Sequence, residues 1–118
     1  MKTEKITIRV YDEVGGDAAI SVSDGETVFK KIDNALSHNL TVVLDFQNVS
    51  LIITAFLNAC IGQLYSKYTS EQLTRLLKLE NVKKEDNYLF NLVIKRAKEY
   101  FSKPEEFTKS VDDVLGKQ

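Results

Sequence analysis

The chain has 118 residues, enough for one domain that buries a core without disulfide or metal staples. Sixteen basic against seventeen acidic residues leave a net charge of −1, which excludes a global field drawing the chain to nucleic acid or an anionic membrane. A single cysteine excludes a disulfide framework within the chain, and no apolar run approaches membrane-spanning length. The expectation is a soluble, cytoplasmic protein.

The first ten residues, MKTEKITIRV, lack an apolar signal core. Ile6, Ile8 and Val10 alternate with Lys5, Thr7 and Arg9, the pattern of a half-buried strand. Gly15-Gly16 follows, then a weaker apolar run from Ala18 to Val22, so this region reads as a hairpin. A phosphate loop is a poor fit, because no glycine fingerprint is completed and no Lys-Ser or Lys-Thr follows.

Ser23-Asp24-Gly25-Glu26 fits the S-x-x-E capping box. The helix it opens carries Val28, Phe29, Ile32, Ala35 and Leu36 on one face and ends near His38-Asn39. His38 is the only histidine. Without a second histidine or a cysteine pair, the sequence offers no metal site, and no nucleophile motif surrounds His38.

Thr41-Val42-Val43-Leu44 is a β-branched apolar run, expected of a strand covered on both faces. Asp45 stands at its carboxyl end, where ligands and partners meet open α/β sheets. Asn48 and Ser50 supply turn chemistry, and a helical pattern then runs to Tyr68. Its apolar stripe is Phe56, Leu57, Cys60, Ile61 and Leu64; a second, small or polar stripe is Thr54, Asn58, Gly62 and Tyr65 or Ser66. A mid-helix glycine costs about 1 kcal/mol relative to alanine, so Gly62 predicts a close approach by another element or another chain. Cys60, on the inward stripe, reads as a small buried apolar side chain.

Thr69-Ser70-Glu71-Gln72 is polar and closes or extends that helix, and Leu73 to Leu79 reads as a further strand with Asn81 at its exit. Leu89, Leu92, Val93, Ala97 and Tyr100 or Phe101 form the stripe of a following helix. Its acidic residues, Glu85 and Asp86, precede it, and its basic residues, Lys95, Arg96 and Lys98, lie late, as the helix dipole favours. Ser102-Lys103-Pro104-Glu105 is a second capping box, and Phe107, Val111, Val114 and Leu115 continue at helical spacing to Gly116. Packing of this last helix on its own domain is the default, and docking on a second copy is the alternative.

The expected architecture is α/β: one domain over residues 1–118, with a core at 4–101 and an additional helix at 102–116. Alternation of strands and helices predicts an about four-stranded, mostly parallel or mixed sheet with helices packed against it. One sheet face is expected to be less fully covered than the other.

Val43-Leu44-Asp45-Phe46-Gln47-Asn48-Val49 leading to Thr54, together with the order of elements, resembles a STAS domain, the fold of bacterial anti-sigma-factor antagonists. Leu44-Asp45-Phe46, then Phe56-x-Asn58-x-x-Ile61-Gly62-x-Leu64, then Leu79-x-Asn81, resemble more closely the STAS-like domain family of unknown function found in bacteria and their mobile elements. The resemblance spans roughly Ile6 to Tyr100. It implies a regulatory, non-catalytic role, with no cofactor, and docking on a protein partner such as a histidine-kinase-like ATPase of the anti-sigma type. In the antagonists a serine or threonine at the start of the helix after this strand is phosphorylated by that partner, and Thr54 falls on the acceptor position. Ile53 and Phe56 depart from the antagonist pattern, which has an acidic residue and a glycine there.

The bland reading of Thr54 is a helix N-cap. Three functional readings stand side by side. The first is a partner-docking surface comprising Asp45, Asn48, Ser50, Thr54, Asn58 and Gly62. The second is a small-ligand or nucleotide pocket at the sheet end near Asp45 and Asn48. The third is a self-associating structural protein, a homodimer through Gly62 or the last helix. An enzyme is the weakest class, since Asp45 with Asp12 or Glu13 forms no demanding carboxylate pair and Asp45 is a natural turn-capping residue.

Overall fold

Strand β1 (Lys5–Arg9) runs directly into a one-turn helix, α1 (Val10–Val14), rather than into a hairpin. The computed structural model describes residues 4–102, and the helix expected over 102–116 lies beyond them, apart from Ser102 itself. Gly15 ends α1 in the left-handed region at φ 76°, its N–H donating to the Tyr11 carbonyl at 3.0 Å. The double glycine is thus a helix stop, which needs the conformation that glycine adopts without a Cβ penalty.

Strand β2 (Ala18–Ala19) pairs in parallel with β4 (Leu51–Ile52), which follows the central strand β3 (Thr41–Asp45). The expected sheet of about four strands therefore divides into a three-stranded parallel sheet, ordered β1-β3-β5, and this separate pair. Two-residue strands show no periodicity, and Leu51-Ile52 reads in sequence as the run-up to a helix.

Helix α2 (Val22–Ser37) begins two residues earlier than the expected capping box would start it. Ser21 is its N-cap, accepting the Asp24 N–H at 2.9 Å. Val28, Ile32, Ala35 and Leu36 are buried, as the helical spacing predicts, and Gly25 joins them. At the far end Asn39 stands at φ 62°; its N–H donates to Leu36 O and the Leu40 N–H to Ala35 O, a Schellman closure.

Within the main sheet, Ile6 and Ile8 stand opposite Val42 and Leu44, which stand opposite Leu77 and Leu79 of β5 (Leu77–Glu80). These side chains share one core with buried residues of α2, α3 (Thr54–Cys60), α4 (Ser70–Leu76) and α5 (Asn87–Ser102). Phe46 meets Phe90 of α5 edge to face at 5.0 Å. The alternate residues Thr7, Val43 and Lys78 lie in register on the opposite face, where Thr7 and Lys78 are exposed. Val43 between them is itself only 4% exposed, so β3 is buried on both faces at its centre, as its apolar run predicts. The uneven cover expected of the sheet is what the structure has.

The helix expected to reach Tyr68 stops at Cys60 and gives way to a 3₁₀ segment, Gly62–Ser66. Glycine's poor helix propensity sits at this break. Thr69 then starts α4 rather than closing the preceding helix. Its hydroxyl accepts the Gln72 N–H at 3.0 Å while the Gln72 side chain accepts the Thr69 N–H at 2.8 Å. This T-x-x-Q capping box converts the first half of the expected Leu73–Leu79 strand into helix, leaving β5 four residues. Asn81 turns the chain at φ 59°, and a 3₁₀ turn at Lys84–Asp86 leads into α5.

Candidate functional site

The six residues singled out in the sequence separate into three local arrangements. Asp45 ties two strand ends: one carboxylate oxygen accepts the Asn81 amide at 2.7 Å and the Gln47 N–H at 2.9 Å. The Asn81 hydrogen bond, more than the opposing desolvation, holds the Asp45 carboxyl below the usual carboxylate range, with help from Gln47 and the charge of Arg9. An ionised, doubly engaged carboxylate is a structural tie. The other two carboxylates are also engaged, Asp12 with Arg9 at 3.7 Å and Glu13 with Lys31 at 2.8 Å, so no acid–base pair forms with Asp45.

Asn48 stands exposed at φ 70°, in a turn closed by the Val49 N–H donating to Phe46 O at 3.1 Å. Asparagine is among the few side chains at ease in that conformation. Ser50 donates its hydroxyl to the Asp17 carboxylate at 2.7 Å, while Asp17 O accepts the N–H groups of Ser50 and Leu51. The Ser50–Asp17 contact therefore clips β4 onto β2.

Thr54 is the first residue of α3, not its cap. The N-cap position belongs to Ile53, which has no side-chain acceptor, and the hydroxyl of the half-buried Thr54 makes no hydrogen bond among the described residues. The N-cap reading of Thr54 is thereby overturned, because the helix begins one residue early. Asn58 is exposed, but Gly62 is buried beneath α5. A Cβ at Gly62 would lie 3.6 Å from Asn58 Oδ1 and 3.7 Å from Val93 Cγ1, ordinary contact distances. The close approach expected at Gly62 occurs instead at Gly25. A Cβ there would stand 2.7 Å from both Ala59 Cβ and the Phe56 carbonyl oxygen.

The polar stripe is thus not one open surface. Its lower half, Asn58 and Gly62, borders a hollow of about 480 Å³ shared with Gln63, Ala97 and Phe101. Its upper half meets a feature that the sequence reading missed. Ile20, Val22, Leu51 and Ile53 are 45, 50, 51 and 39% exposed. Ile20, Leu51 and Ile53 lie on the β2–β4 pair or one residue beyond it, Val22 is the first residue of α2, and the Ile53 N–H donates to Ala19 O at 3.2 Å. Each is an unremarkable aliphatic residue in sequence, and only the parallel pairing of two very short strands gathers them. The signal available was their placement at or just before two helix starts.

Cys60 is fully buried, and burial pushes its thiol far above the usual range, so it serves as core. His38 is exposed, its Nδ1 2.7 Å from the Asn34 carbonyl oxygen on its own helix. No group of three or more His, Cys, Asp or Glu capable of holding a metal ion occurs among the described residues. Among those residues, too, no helix is long and apolar enough to cross a membrane.

A parallel sheet with a helical core on one face, and a short helix launched from the turn after the central strand, define a STAS-like α/β domain. The sequence model of the STAS-like domain of unknown function (DUF4325) matches residues 24–87, more than half of the chain, and the chain belongs to that family. The match runs from the first turn of α2 to the first residue of α5. Comparison with curated proteins and with solved structures returned no match.

Proposed function

We propose that this domain is a non-catalytic regulatory module that docks a protein partner through the β2–β4 pair and the start of α3. The observation that carries this reading is the exposed cluster of Ile20, Val22, Leu51 and Ile53 beside Thr54. Fully burying an aliphatic side chain contributes ~1.5–3 kcal/mol, so each of these half-exposed residues leaves about 1 kcal/mol available to a partner. Asn48, Ser50 and Thr54 supply polar groups at its rim, and Asn58 extends it along α3. Gly62, buried under α5, drops out of the surface.

Phosphorylation of Thr54 is the switch that fits this geometry. The hydroxyl has no competing hydrogen bond among the described residues, and a phosphate would place up to two negative charges against an apolar surface. The partner class implied by the resemblance is a histidine-kinase-like ATPase, able to act as both ligand and kinase.

The test is quantitative affinity capture from a lysate of the source organism with wild type, Leu51→Asp, Thr54→Glu and the remote surface control Tyr88→Ser. One protein retained by wild type and Tyr88→Ser but lost by Leu51→Asp and Thr54→Glu is the expected result. Equal capture by all four variants would remove the patch as a docking surface. Light scattering of the same samples separates this reading from self-association, which predicts a dimer dissociated by Leu51→Asp.

A further inference from the structure

Among the described residues, the core is left open along the outer edge of β5. Between α4, β5 and α5 lies a cleft of about 200 Å³ lined by Ile61, Leu73, Leu77, Leu79 and Ile94. Ile61 and Leu73 form its buried part, whereas Leu77, Leu79 and Ile94 are only half-buried. Its volume is about seven times the ~30 Å³ share of a water molecule in the liquid, enough for an aliphatic chain of roughly six to eight carbons.

Tyr65 and Lys98 line both this cleft and an adjoining hollow of about 550 Å³. In that wider hollow the charged and phenolic neighbours are already engaged. Lys67 pairs with Asp33 at 2.7 Å, and the Tyr68 hydroxyl donates to the same carboxylate at 2.6 Å. Lys98 and the Tyr65 hydroxyl are different: neither has a hydrogen bond or ion pair among the described residues. Burial raises the Tyr65 hydroxyl above its ordinary range, so it stays protonated and able to donate at neutral pH. An ammonium and a phenol, both donors, thus stand where an apolar cleft opens. A few unengaged polar groups on an apolar wall are what orient a small ligand.

We propose that this cleft binds an amphipathic anion, with an aliphatic chain against Ile61, Leu79 and Ile94 and a carboxylate held by Lys98 and Tyr65. The ligand class follows from the lining alone. An uncharged chain leaves Lys98 unused, and a short anion leaves the apolar cleft empty. The site lies on α4, β5, α5 and the Ile61–Tyr65 stretch at the 3₁₀ segment, and it does not involve the β2–β4 patch, so it stands or falls independently of the docking surface.

The experiment is titration of the full chain with octanoate, followed by amide chemical shifts and calorimetry, with 1-octanol and acetate as matched controls. Saturable octanoate binding, several-fold tighter than octanol and absent for acetate, is expected, with shifts centred on Ile61, Leu79 and Ile94. Lys98→Met should weaken octanoate by roughly five-fold, the scale of a partly exposed ion pair, while leaving octanol unchanged. Ile94→Trp, confirmed as folded by its amide dispersion, should abolish binding of both. Absence of saturable binding, equal affinity for octanol, or indifference to Lys98→Met would overturn the proposal. So would binding by a chain ending at Ser102 but not by the full chain, which would assign the cleft to the protein's own carboxyl-terminal residues.

Discussion

The packing of α2 on α3 turns on Gly25, and replacing it by alanine tests that reasoning directly. The added Cβ would stand 2.7 Å from Ala59 Cβ and from the Phe56 carbonyl oxygen, and 3.5 Å from the Cys60 nitrogen. Carbon atoms at best separation lie ~3.5–4.0 Å apart, so the helices must part by close to 1 Å or tilt. Neither obstacle is the free end of a flexible side chain; one is backbone and the other a Cβ fixed to it. Overpacking of this kind costs ~1–3 kcal/mol, and the helix propensity of alanine over glycine returns about 1 kcal/mol. Because both obstacles are fixed to backbone, the upper half of that range applies, and a net loss of about 1–2 kcal/mol is expected, read as a lower urea midpoint at unchanged slope. Gly62→Ala is the internal control, since its Cβ meets atoms only at 3.6–3.9 Å. That variant should be neutral or slightly stabilising. A Gly25→Ala protein as stable as wild type, or less harmed than Gly62→Ala, would refute the assignment of the close contact.

The location of the α2 cap is tested by Ser21→Ala, which should cost about 1 kcal/mol in urea unfolding, while Ser23→Ala should be near neutral. Equal effects would return the cap to Ser23. A second prediction concerns pH and the clamp that Lys67 and Tyr68 make on Asp33. The Lys67 hydrogen bond, then that of Tyr68, holds the Asp33 carboxyl below its ordinary range against a smaller desolvation penalty. Its contribution is therefore full above the unfolded carboxylate range and is lost as pH falls through the folded value. Tyr68 has the opposite sign: burial first, then Asp33, pushes its hydroxyl up to about 12. The stability it confers is full below the unfolded value near ~10 and is lost as pH rises through the folded one. Urea midpoints of Tyr68→Phe and wild type should diverge most near neutral pH and converge as pH rises from about 10 through about 12. A constant gap across that range would remove the clamp.

Elements carried by side-chain periodicity were legible in the sequence. Strand β1, the buried face of α2, the central strand and the buried positions Val93 and Ala97 in α5 all follow from alternation or helical spacing. What the sequence left hidden was decided by single local bonds. Ser21 rather than Ser23 captures the Asp24 N–H, and Thr69 pairs with Gln72 to make α4. Both alternatives obey the same capping chemistry, so pattern alone gives no preference between Ser21 and Ser23. β2 falls within the weak run from Ala18 to Val22, but β4 and its pairing with β2 were invisible for another reason: two residues have no period, and the partnership spans more than thirty positions. Of the candidate site, Asp45 was legible as a turn-capping group, whereas the fates of Thr54 and Gly62 depended on where α3 starts and stops.

The same local facts explain why the candidate docking surface belongs to this architecture. A two-residue parallel pair is too short to stand alone, since even a full hairpin is marginal in water. Here it is held by the Ser50–Asp17 contact at one end and by the Ile53 N–H to Ala19 O bond at the other. Immediately beyond those bonds, β2 leads into α2 and β4 into α3. The spacing of these two helices is limited by Gly25 against Ala59 and Phe56. The patch is therefore assembled from two chain segments whose separation is set by a helix crossing behind it. A charge added at Thr54, one residue past Ile53, enters the patch from its α3 side. That is the arrangement in which a single modification can alter a surface without unfolding the core, because Phe56, Leu57 and Cys60 anchor the same helix from below.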